Sequence, residues 1–232
     1  MGRLKRRDLK RGIYHVYNKS TNHMWILEED EMKDRFLNLL KHFALKYPVN
    51  IYHYCIMSNH FHLAIEGDIK NISKFVGALC SQYSRYYRDV TDTGRGPIWQ
   101  SRYHSVFVQK EGYLSRLGRY IELNPVRAKI INRSQLSDYK WCSAKNYLKG
   151  IKDVLVKPIA HPFYRTADRY SENHMKRYAD YLCVPYEDYE EDIRLFRSNA
   201  TQIGDANFLT RLVAGISDRV QLLKGRPKKA QS

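Results

Sequence analysis

The order in which strand-like and helix-like segments follow one another most constrains the fold of this chain. Runs rich in β-branched and aromatic residues, typical of strands, alternate with runs whose apolar residues recur at three- and four-residue steps, typical of helices. We predict strands at residues 13–19, 51–57, 61–66 and 105–109, and helices from the acidic residues 28–31 to residue 46, at 69–89 and at 112–123. This β-α-β-β-α-β-α order predicts an α+β fold of the ferredoxin-like kind, an antiparallel sheet with helices on one face.

The net charge indicates the class of partner. The 232 residues include 40 Lys and Arg against 24 Asp and Glu, a formal net charge of +16. Such a charge attracts polyanions and raises their encounter rate, which favours nucleic acid as the partner. A ribosomal-type protein or a merely soluble basic surface is the alternative that charge alone leaves open.

The cysteines and the hydropathy of the sequence bear on its compartment. Cys55, Cys80, Cys142 and Cys183 include no C-x-x-C pair, so the sequence favours neither a disulfide framework nor a zinc knuckle. No segment is long and apolar enough to cross a bilayer, and the basic first residues are not followed by an apolar stretch. We therefore expect a cytoplasmic, nucleoid-associated protein with no membrane partner.

Two histidines separated by one residue form a candidate metal site. His60 and His62 lie at the start of a predicted strand, where alternate side chains share a face, so both imidazoles point to one side and Phe61 to the other. Two imidazoles on one face are suitable ligands for a divalent metal. An incidental H-x-H pair is the alternative that these residues alone leave open.

A tyrosine and an asparagine four residues apart form a second candidate site. Tyr120 and Asn124 lie one turn apart on the same face of a predicted helix, so one could react while the other binds a metal. Pro125 disfavours helical geometry at Asn124, which predicts that the helix ends there. The alternative is that Tyr120 packs in a core and Asn124 caps the helix.

Four motifs in a fixed order carry a resemblance to a known family. They are residues 14–18 (YHVYN), 57–63 (MSNHFHL), 96–103 (GPIWQSRY) and 120–125 (YIELNP). Together they resemble the HUH single-tyrosine transposases of the IS200-like kind, and more closely their REP-associated tyrosine transposase relatives, over roughly residues 13–147. The resemblance implies that His60 and His62 bind a metal ion, that Asn124 is a third, side-chain amide ligand, and that Tyr120 is the nucleophile.

The resemblance also implies an activity and a substrate. Such a protein is a metal-dependent endonuclease and strand transferase for single-stranded DNA, which forms a 5′-phosphotyrosine intermediate on hairpin-containing, REP-like elements. We expect Mg²⁺ or Mn²⁺ as the cofactor, with Mn²⁺ binding the mixed imidazole and amide set more tightly. The assembly is expected to be a monomer or a homodimer. A non-catalytic nucleic-acid-binding protein and a domesticated regulator on the same fold are the alternatives.

Basic and aromatic residues outside the metal and nucleophile motifs are predicted to contact DNA, because cations hold phosphates while aromatic rings stack bases. They are Arg3, Lys5, Arg6, Arg7, Arg95, Trp99, Gln100, Arg102 and Arg226. A core position is an equally open alternative for Trp99. Arg226 lies in a Gly-Arg-Pro sequence that resembles an AT-hook, which binds a narrow minor groove, and a plain basic tail is the alternative.

The sequence divides into three parts. Residues 1–147 form the transposase-like catalytic domain, 148–223 a C-terminal helical extension, and 224–232 a basic, AT-hook-like tail. Compact members of the resembled family lack the extension, so the resemblance does not give its role. His104 and Glu122 are candidates for a general base, but we interpret His104 as capping a strand and Glu122 as a solvated helix residue.

Overall fold

A sheet of five strands forms the centre of the described structure. This computed structural model describes residues 11–94, 96–110, 112–156, 172–183, 186–197 and 200–212. The strands are β1 (Gly12–Lys19), β2 (Val49–Ile56), β3 (His60–Gly67), β4 (His104–Val108) and β5 (Gln202–Ile203). They lie in the order β2-β3-β1-β4-β5, and neighbours run antiparallel except for the parallel pair β4 and β5.

Helices connect and cover the strands. They are α1 (Asp30–Lys46), α2 (Ile69–Thr91), α3 (Tyr113–Glu122), α4 (Asn124–Arg127), α5 (Ala144–Leu148), α6 (Glu172–Leu182) and α7 (Tyr186–Arg197), with short 3-10 turns at Thr21–His23 and Arg133–Asp138. The predicted order β-α-β-β-α-β-α is confirmed, and each of these elements begins and ends within two residues of its predicted bounds. The described residues of the predicted extension at 148–223 form α6, α7 and the short strand β5, and residues 157–171 and 213–223 lie outside the described ranges.

Local chemistry explains where α1 begins and ends and where α2 begins. Asp30 and Glu31 open α1, where negative charge is favourable at the positive end of the helix dipole, and Pro48 follows soon after its last residue. The side chain of Asp68 accepts a hydrogen bond from the backbone N–H of Lys70 at 2.8 Å and caps α2. These signals are local, which is why the sequence predicts the boundaries well.

Helices cover both faces of the sheet. Phe61 and His62 are neighbours on β3 and therefore point to opposite faces. The ring of Phe61 lies 5.0 Å from that of Phe36 on α1, whereas the ring of His62 lies 5.6 Å from that of Tyr120 on α3. The predicted α+β fold is confirmed, but helices lie on two faces rather than the expected one. The reason is that β2 and β3 bury nearly all their residues on both sides, so each side needs a cover.

A glycine allows α3 to lie close to the sheet. A Cβ atom at Gly118 would lie 2.5 Å from the His53 ring of β2, a distance that real side chains do not adopt. Glycine at this position lets the α3 backbone approach the strand. This close approach brings the following residues of α3, which include Tyr120, near the sheet.

A buried carboxylate anchors the end of α3. Glu122 is fully buried, and its oxygens accept hydrogen bonds from His53 Nδ1 at 2.8 Å, Ser143 Oγ at 2.5 Å and the Tyr178 hydroxyl at 2.7 Å. The interpretation of Glu122 as a solvated residue is therefore wrong, because its carboxylate is enclosed between β2, α3 and α6. Three donors compensate for the loss of water around the charge.

The C-terminal extension packs against α3 through a second buried carboxylate. Asp192 of α7 is fully buried and accepts hydrogen bonds from Arg116 Nε at 2.6 Å and Arg119 Nε at 2.9 Å. Apolar side chains of α6 and α7 join the same hydrophobic core as the sheet. They are Tyr178, Leu182, Tyr189, Ile193 and Phe196. The helix that carries Tyr120 is thus held from one side by the sheet and from the other by the extension.

Candidate active site

A cavity of about 440 Å³ lies between β1, β3, the junction of α3 and α4, and the end of α7. Its lining consists of His15, Tyr17, Lys19, Met57, His60, His62, Tyr120, Asn124, Arg127, Ala128, Phe196 and Arg197. The structure therefore brings the histidine pair, the candidate nucleophile and the candidate amide ligand into one cavity. His60 and Asn124, the first and last of these four residues in the sequence, are 64 positions apart, because α2 and β4 lie between β3 and α3.

The two histidines of the motif share a face of β3, as their spacing predicts. Their ring centroids lie 5.1 Å apart, with the rings nearly perpendicular at 86°. The Nδ1 of His60 lies 2.7 Å from Asn59 Oδ1 and donates to that oxygen. A histidine whose Nδ1 carries the proton presents an unprotonated Nε2, which is the tautomer that can bind a metal.

A third histidine, which was not predicted from the sequence, contacts the second histidine of the motif. His15 of β1 is fully buried, and its Nε2 lies 2.9 Å from Nδ1 of His62. If His62 donates in this bond, its own Nε2 is unprotonated, as in His60. The signal in the sequence is that His15 and Tyr17 alternate on a strand, but nothing local indicates that β1 pairs with β3.

The histidines of the site are held in the neutral form. Burial lowers the pKa of His15 to about 3 and that of His60 to about 4. Burial also lowers the pKa of His62 well below its usual value. The positive charges of Lys19 and Arg127 add to this effect at His60 and His62. Neutral imidazoles at neutral pH are what a metal ion requires.

The candidate nucleophile faces this histidine cluster. The ring of Tyr120 stands edge-on to the rings of His62 at 5.6 Å and His15 at 5.7 Å, and the ring of Phe196 lies 5.4 Å away. Only 3% of Tyr120 is exposed. Within the described part of the chain, no group forms a hydrogen bond with its hydroxyl. The phenol therefore has a fixed ring and an oxygen that is available to a ligand in the cavity.

Asn124 sits at a break between two helices. α3 ends at Glu122 and α4 begins at Asn124, with Pro125 in the first turn of α4, which agrees with the predicted helix end. The Nδ2 of Asn124 donates to the carbonyl oxygens of Tyr120 at 2.9 Å and Ile121 at 3.0 Å, so the side chain caps α3. Its Oδ1 accepts a hydrogen bond from Arg127. An amide oxygen has two lone pairs, so one remains for a metal.

The predicted DNA-binding residues fall into three groups. Trp99 is buried against the rings of Phe36, Phe61 and Tyr83, and its Nε1 donates to the carbonyl oxygen of Cys80 at 3.2 Å. The prediction that Trp99 stacks on bases is therefore wrong, and the core alternative is correct.

The second group is exposed and the third lies outside the described residues. Gln100 and Arg102 are exposed, and the backbone N–H of Gln100 donates to the carbonyl oxygen of Lys19 at 2.9 Å, close to the cavity. The residues outside the described ranges are Arg3, Lys5, Arg6, Arg7, Arg95 and Arg226, together with the tail at 224–232. His104 is exposed, begins β4 and stacks on Tyr17 at 4.8 Å.

The charges of the cavity favour an anion. Its lining includes Lys19, Arg127 and Arg197 but no aspartate or glutamate. None of these three cations was predicted from the sequence. Arg127 could have been found from its three-residue step after Asn124, whereas nothing in the sequence relates Arg197 to this site. Three cations without a lining carboxylate give the cavity a positive potential, which attracts anions.

The donors present fit a divalent metal only if the amide takes part. Within the described ranges, no cluster of three His, Cys, Asp or Glu side chains could hold a metal. Two imidazole nitrogens and the oxygen of Asn124 are therefore the available set. Such a mixed, uncharged set suits Mn²⁺ better than Mg²⁺.

Comparisons with known proteins agree with the motifs. The family model described as IS200-like transposase matches residues 9–124. A search of curated proteins finds no match. A solved structure described as a REP-associated tyrosine transposase bound to a REP hairpin shares 16% identity and a TM-score of 0.53, covering 68% of this chain and 92% of that one. At this identity the likeness shows a shared fold.

A second solved structure has lower overall similarity to this chain. A crystal structure of a candidate transposase from Deinococcus radiodurans R1 shares 19% identity and a TM-score of 0.37, covering 56% of this chain and 91% of that one. Among the described residues, none of the helices combines the length and the apolar character that spanning a membrane requires.

Proposed function

The chain belongs to the IS200-like transposase family, and we propose from this premise that it cuts and rejoins single-stranded DNA through a covalent bond to Tyr120. The observation that carries the proposal is the convergence of Tyr120, His60 and His62 on one basic cavity. A buried phenol with a free hydroxyl next to two neutral imidazoles and three cations suits attack on a phosphodiester.

The reaction would exchange one phosphate ester for another. The Tyr120 oxygen attacks the phosphorus and forms a P–O bond, the bond from phosphorus to the 3′-oxygen breaks, and the products are a 5′-phosphotyrosine and a 3′-hydroxyl. The phenol gives up one proton, and the leaving 3′-oxygen takes one up. Attack by a second 3′-hydroxyl reverses the step, so rejoining needs no nucleotide cofactor.

His60, His62 and Asn124 would hold a divalent cation. Bound there, Mg²⁺ or Mn²⁺ would neutralise charge on a non-bridging oxygen of the scissile phosphate. The protein prepares the set through its hydrogen bonds: Asn59 directs the proton of His60 to Nδ1, and burial keeps the imidazoles neutral. Glu122 is excluded as a general base, because its carboxylate is enclosed by His53, Ser143 and Tyr178 away from the cavity.

Hairpin-containing DNA of the REP kind is the proposed substrate. The solved structure with a shared fold is described as bound to a REP hairpin. In this chain, the backbone N–H of the exposed Gln100 donates to the carbonyl oxygen of Lys19, which lines the cavity, and the exposed Arg102 follows two residues later. Polar and basic groups at this edge would hold the DNA backbone while a single strand enters the cavity.

The test is formation of a protein-linked DNA band. The protein is incubated with Mn²⁺ and an end-labelled DNA hairpin with a single-stranded flank, and the products are separated on a denaturing gel. The wild-type protein and a Tyr113→Phe control, altered seven residues earlier on α3, should form the band, and Tyr120→Phe should not. A band of equal intensity from Tyr120→Phe shows that the nucleophile assignment is wrong. Binding without any band or metal dependence from the wild type would favour a non-catalytic DNA-binding protein.

A further inference from the structure

Arg127 carries a positive charge at the centre of the proposed reaction. It closes the short helix α4, three residues after Asn124, and its guanidinium lies over the ring of Tyr120 at 4.7 Å from the ring centroid. It also lines the cavity that holds the histidine pair. The charge is therefore next to the proposed nucleophile and faces the same space.

Two hydrogen bonds fix the guanidinium but leave most of its donors available. Nη1 donates to the Tyr189 hydroxyl at 2.6 Å, and Nη2 donates to Oδ1 of Asn124. A guanidinium has five N–H groups, so three remain without a partner in the described ranges. The Tyr189 hydroxyl in turn donates to the carbonyl oxygen of Tyr120 at 3.3 Å. Tyr189 of the extension thus holds Arg127 in place, and N–H groups of the guanidinium remain that can bind a ligand.

Arg127 differs from the neighbouring arginines in its counter-ions. Arg116 and Arg119 on α3 both pair with the buried carboxylate of Asp192. Arg127 has no carboxylate within ion-pair distance in the described part of the chain, and the cavity lining contains none. A fixed guanidinium without a counter-ion, inside a partly enclosed cavity, attracts an anion of matching shape.

We infer that Arg127 is a catalytic residue that binds the scissile phosphate through its free N–H groups, an inference that rests on the proposed function. A guanidinium presents parallel donors that match two non-bridging phosphate oxygens. Its position beside Tyr120 lets it stabilise the charge that develops on those oxygens as the phenol attacks. Because the second lone pair of Asn124 Oδ1 stays free, the bond to Arg127 does not prevent Asn124 from binding a metal.

The experiment compares a charged and a neutral scissile phosphate. Single-turnover rates of adduct formation are measured with the phosphodiester hairpin and with a hairpin whose scissile phosphate is replaced by an uncharged methylphosphonate. On the phosphodiester, Arg127→Ala should be slower than wild type by about 100-fold or more, the loss typical of removing one transition-state donor. On the methylphosphonate, which lacks the charge that Arg127 binds, the two proteins should react at similar rates. On the phosphodiester, the rate of Arg127→Lys should lie between those of the wild type and Arg127→Ala, because lysine keeps the positive charge but lacks the planar guanidinium.

A matched variant and a ratio keep the result unambiguous. Arg85→Ala removes one positive charge from an exposed position on α2 and should react like wild type with both substrates. Because each protein is compared with itself on two substrates, a partial folding defect cancels in the ratio. An equal loss on both substrates, or no loss at all, overturns the role of Arg127 while the adduct of the wild type still supports the proposed function. Absence of an adduct from the wild type overturns the proposed function itself.

Discussion

Nε2 of His15 lies 2.9 Å from Nδ1 of His62, so one imidazole fixes the proton position of the other. Both rings are buried and neutral, and only one proton can occupy this bond. When His62 donates, its Nε2 faces the cavity as a lone pair; when His15 donates, that lone pair is lost. Hydrogen bonds of this kind are a common determinant of ligand orientation in metal sites.

The first prediction concerns removal of this hydrogen-bond acceptor. His15→Phe fills a similar volume but cannot accept the proton of His62, so the apparent affinity for Mn²⁺ should fall by about 10-fold to 100-fold. The measurement is Mn²⁺ binding by electron paramagnetic resonance in a Tyr120→Phe background, in which no adduct forms. His42→Phe, at an exposed position on α1, is the control and should bind as before. Unchanged Mn²⁺ affinity in His15→Phe would show that His15 does not orient the ligand.

The second prediction concerns the pH dependence of stability in the metal-free protein. The folded-state pKa of His15 is lowered to about 3, below the ordinary value of 6.5. Between these values the unfolded chain binds more protons, so the free energy of unfolding falls as the pH falls below 6.5. At pH 5 the contribution of His15 alone is about 2 kcal/mol, from 1.36 kcal/mol for each pH unit.

Urea unfolding at pH 7 and pH 5 checks this sign. The wild type should lose more stability between the two pH values than His15→Phe, since the variant has no imidazole to protonate at this position. His60 and His62 remain in both proteins. Because His15 is one of the groups that lower the pKa of His62, its removal also reduces the contribution of His62, which changes the difference between the two slopes in the same direction. An identical pH dependence in the two proteins would refute the assignment of His15 as a buried neutral group.

Local signals account for the part of the fold that the sequence predicts. The strand that carries His60 and His62 follows from alternation, and the start of α1 follows from Asp30 and Glu31. Helical spacing predicts that Tyr120 and Asn124 face the same side, and Pro125 predicts that the helix ends at Asn124. In each case the information lies within a few residues, so tertiary contacts only refine it.

Tertiary contacts decide what the sequence could not predict. Trp99 and Glu122 are an aromatic and a charged residue that look suited to solvent or DNA, yet both are buried because distant elements supply partners for them. The same holds for His15 and Arg197, which reach the cavity through a strand pairing and a helix docking. No local pattern contains this information.

The third prediction tests whether the extension holds the nucleophile helix. Asp192→Asn keeps the shape of the side chain but leaves the charges of Arg116 and Arg119 without their buried counter-ion. Removing one partner of a buried ion pair costs about 3–5 kcal/mol, so urea unfolding should show a loss of this size. Adduct formation should also slow, because α3 carries Tyr120.

A partly exposed acid on the same helix provides the control for this variant. Glu190→Gln breaks the surface ion pair with Arg194, which should change stability by less than about 1 kcal/mol. If Asp192→Asn and Glu190→Gln unfold at the same urea concentration, the buried pair does not hold α7 against α3. Asp192 would then have no part in positioning Tyr120.

The fourth prediction is that metal and DNA bind cooperatively. Lys19, Arg127 and Arg197 surround the proposed ligands without any carboxylate in the lining, and their charges lower the pKa of His60 after the larger effect of burial. The same positive field opposes a divalent cation until a phosphate enters the cavity and neutralises it. In the Tyr120→Phe protein, hairpin DNA should therefore raise the apparent affinity for Mn²⁺ by about tenfold or more, and Mn²⁺ should raise the affinity for DNA by the same factor.

Lys19→Gln removes one of the opposing charges, so when it is added to the Tyr120→Phe protein it should make that protein bind Mn²⁺ more tightly in the absence of DNA. Calorimetric titrations that give the same Mn²⁺ affinity with and without DNA would mean that the field of these cations does not reach the metal.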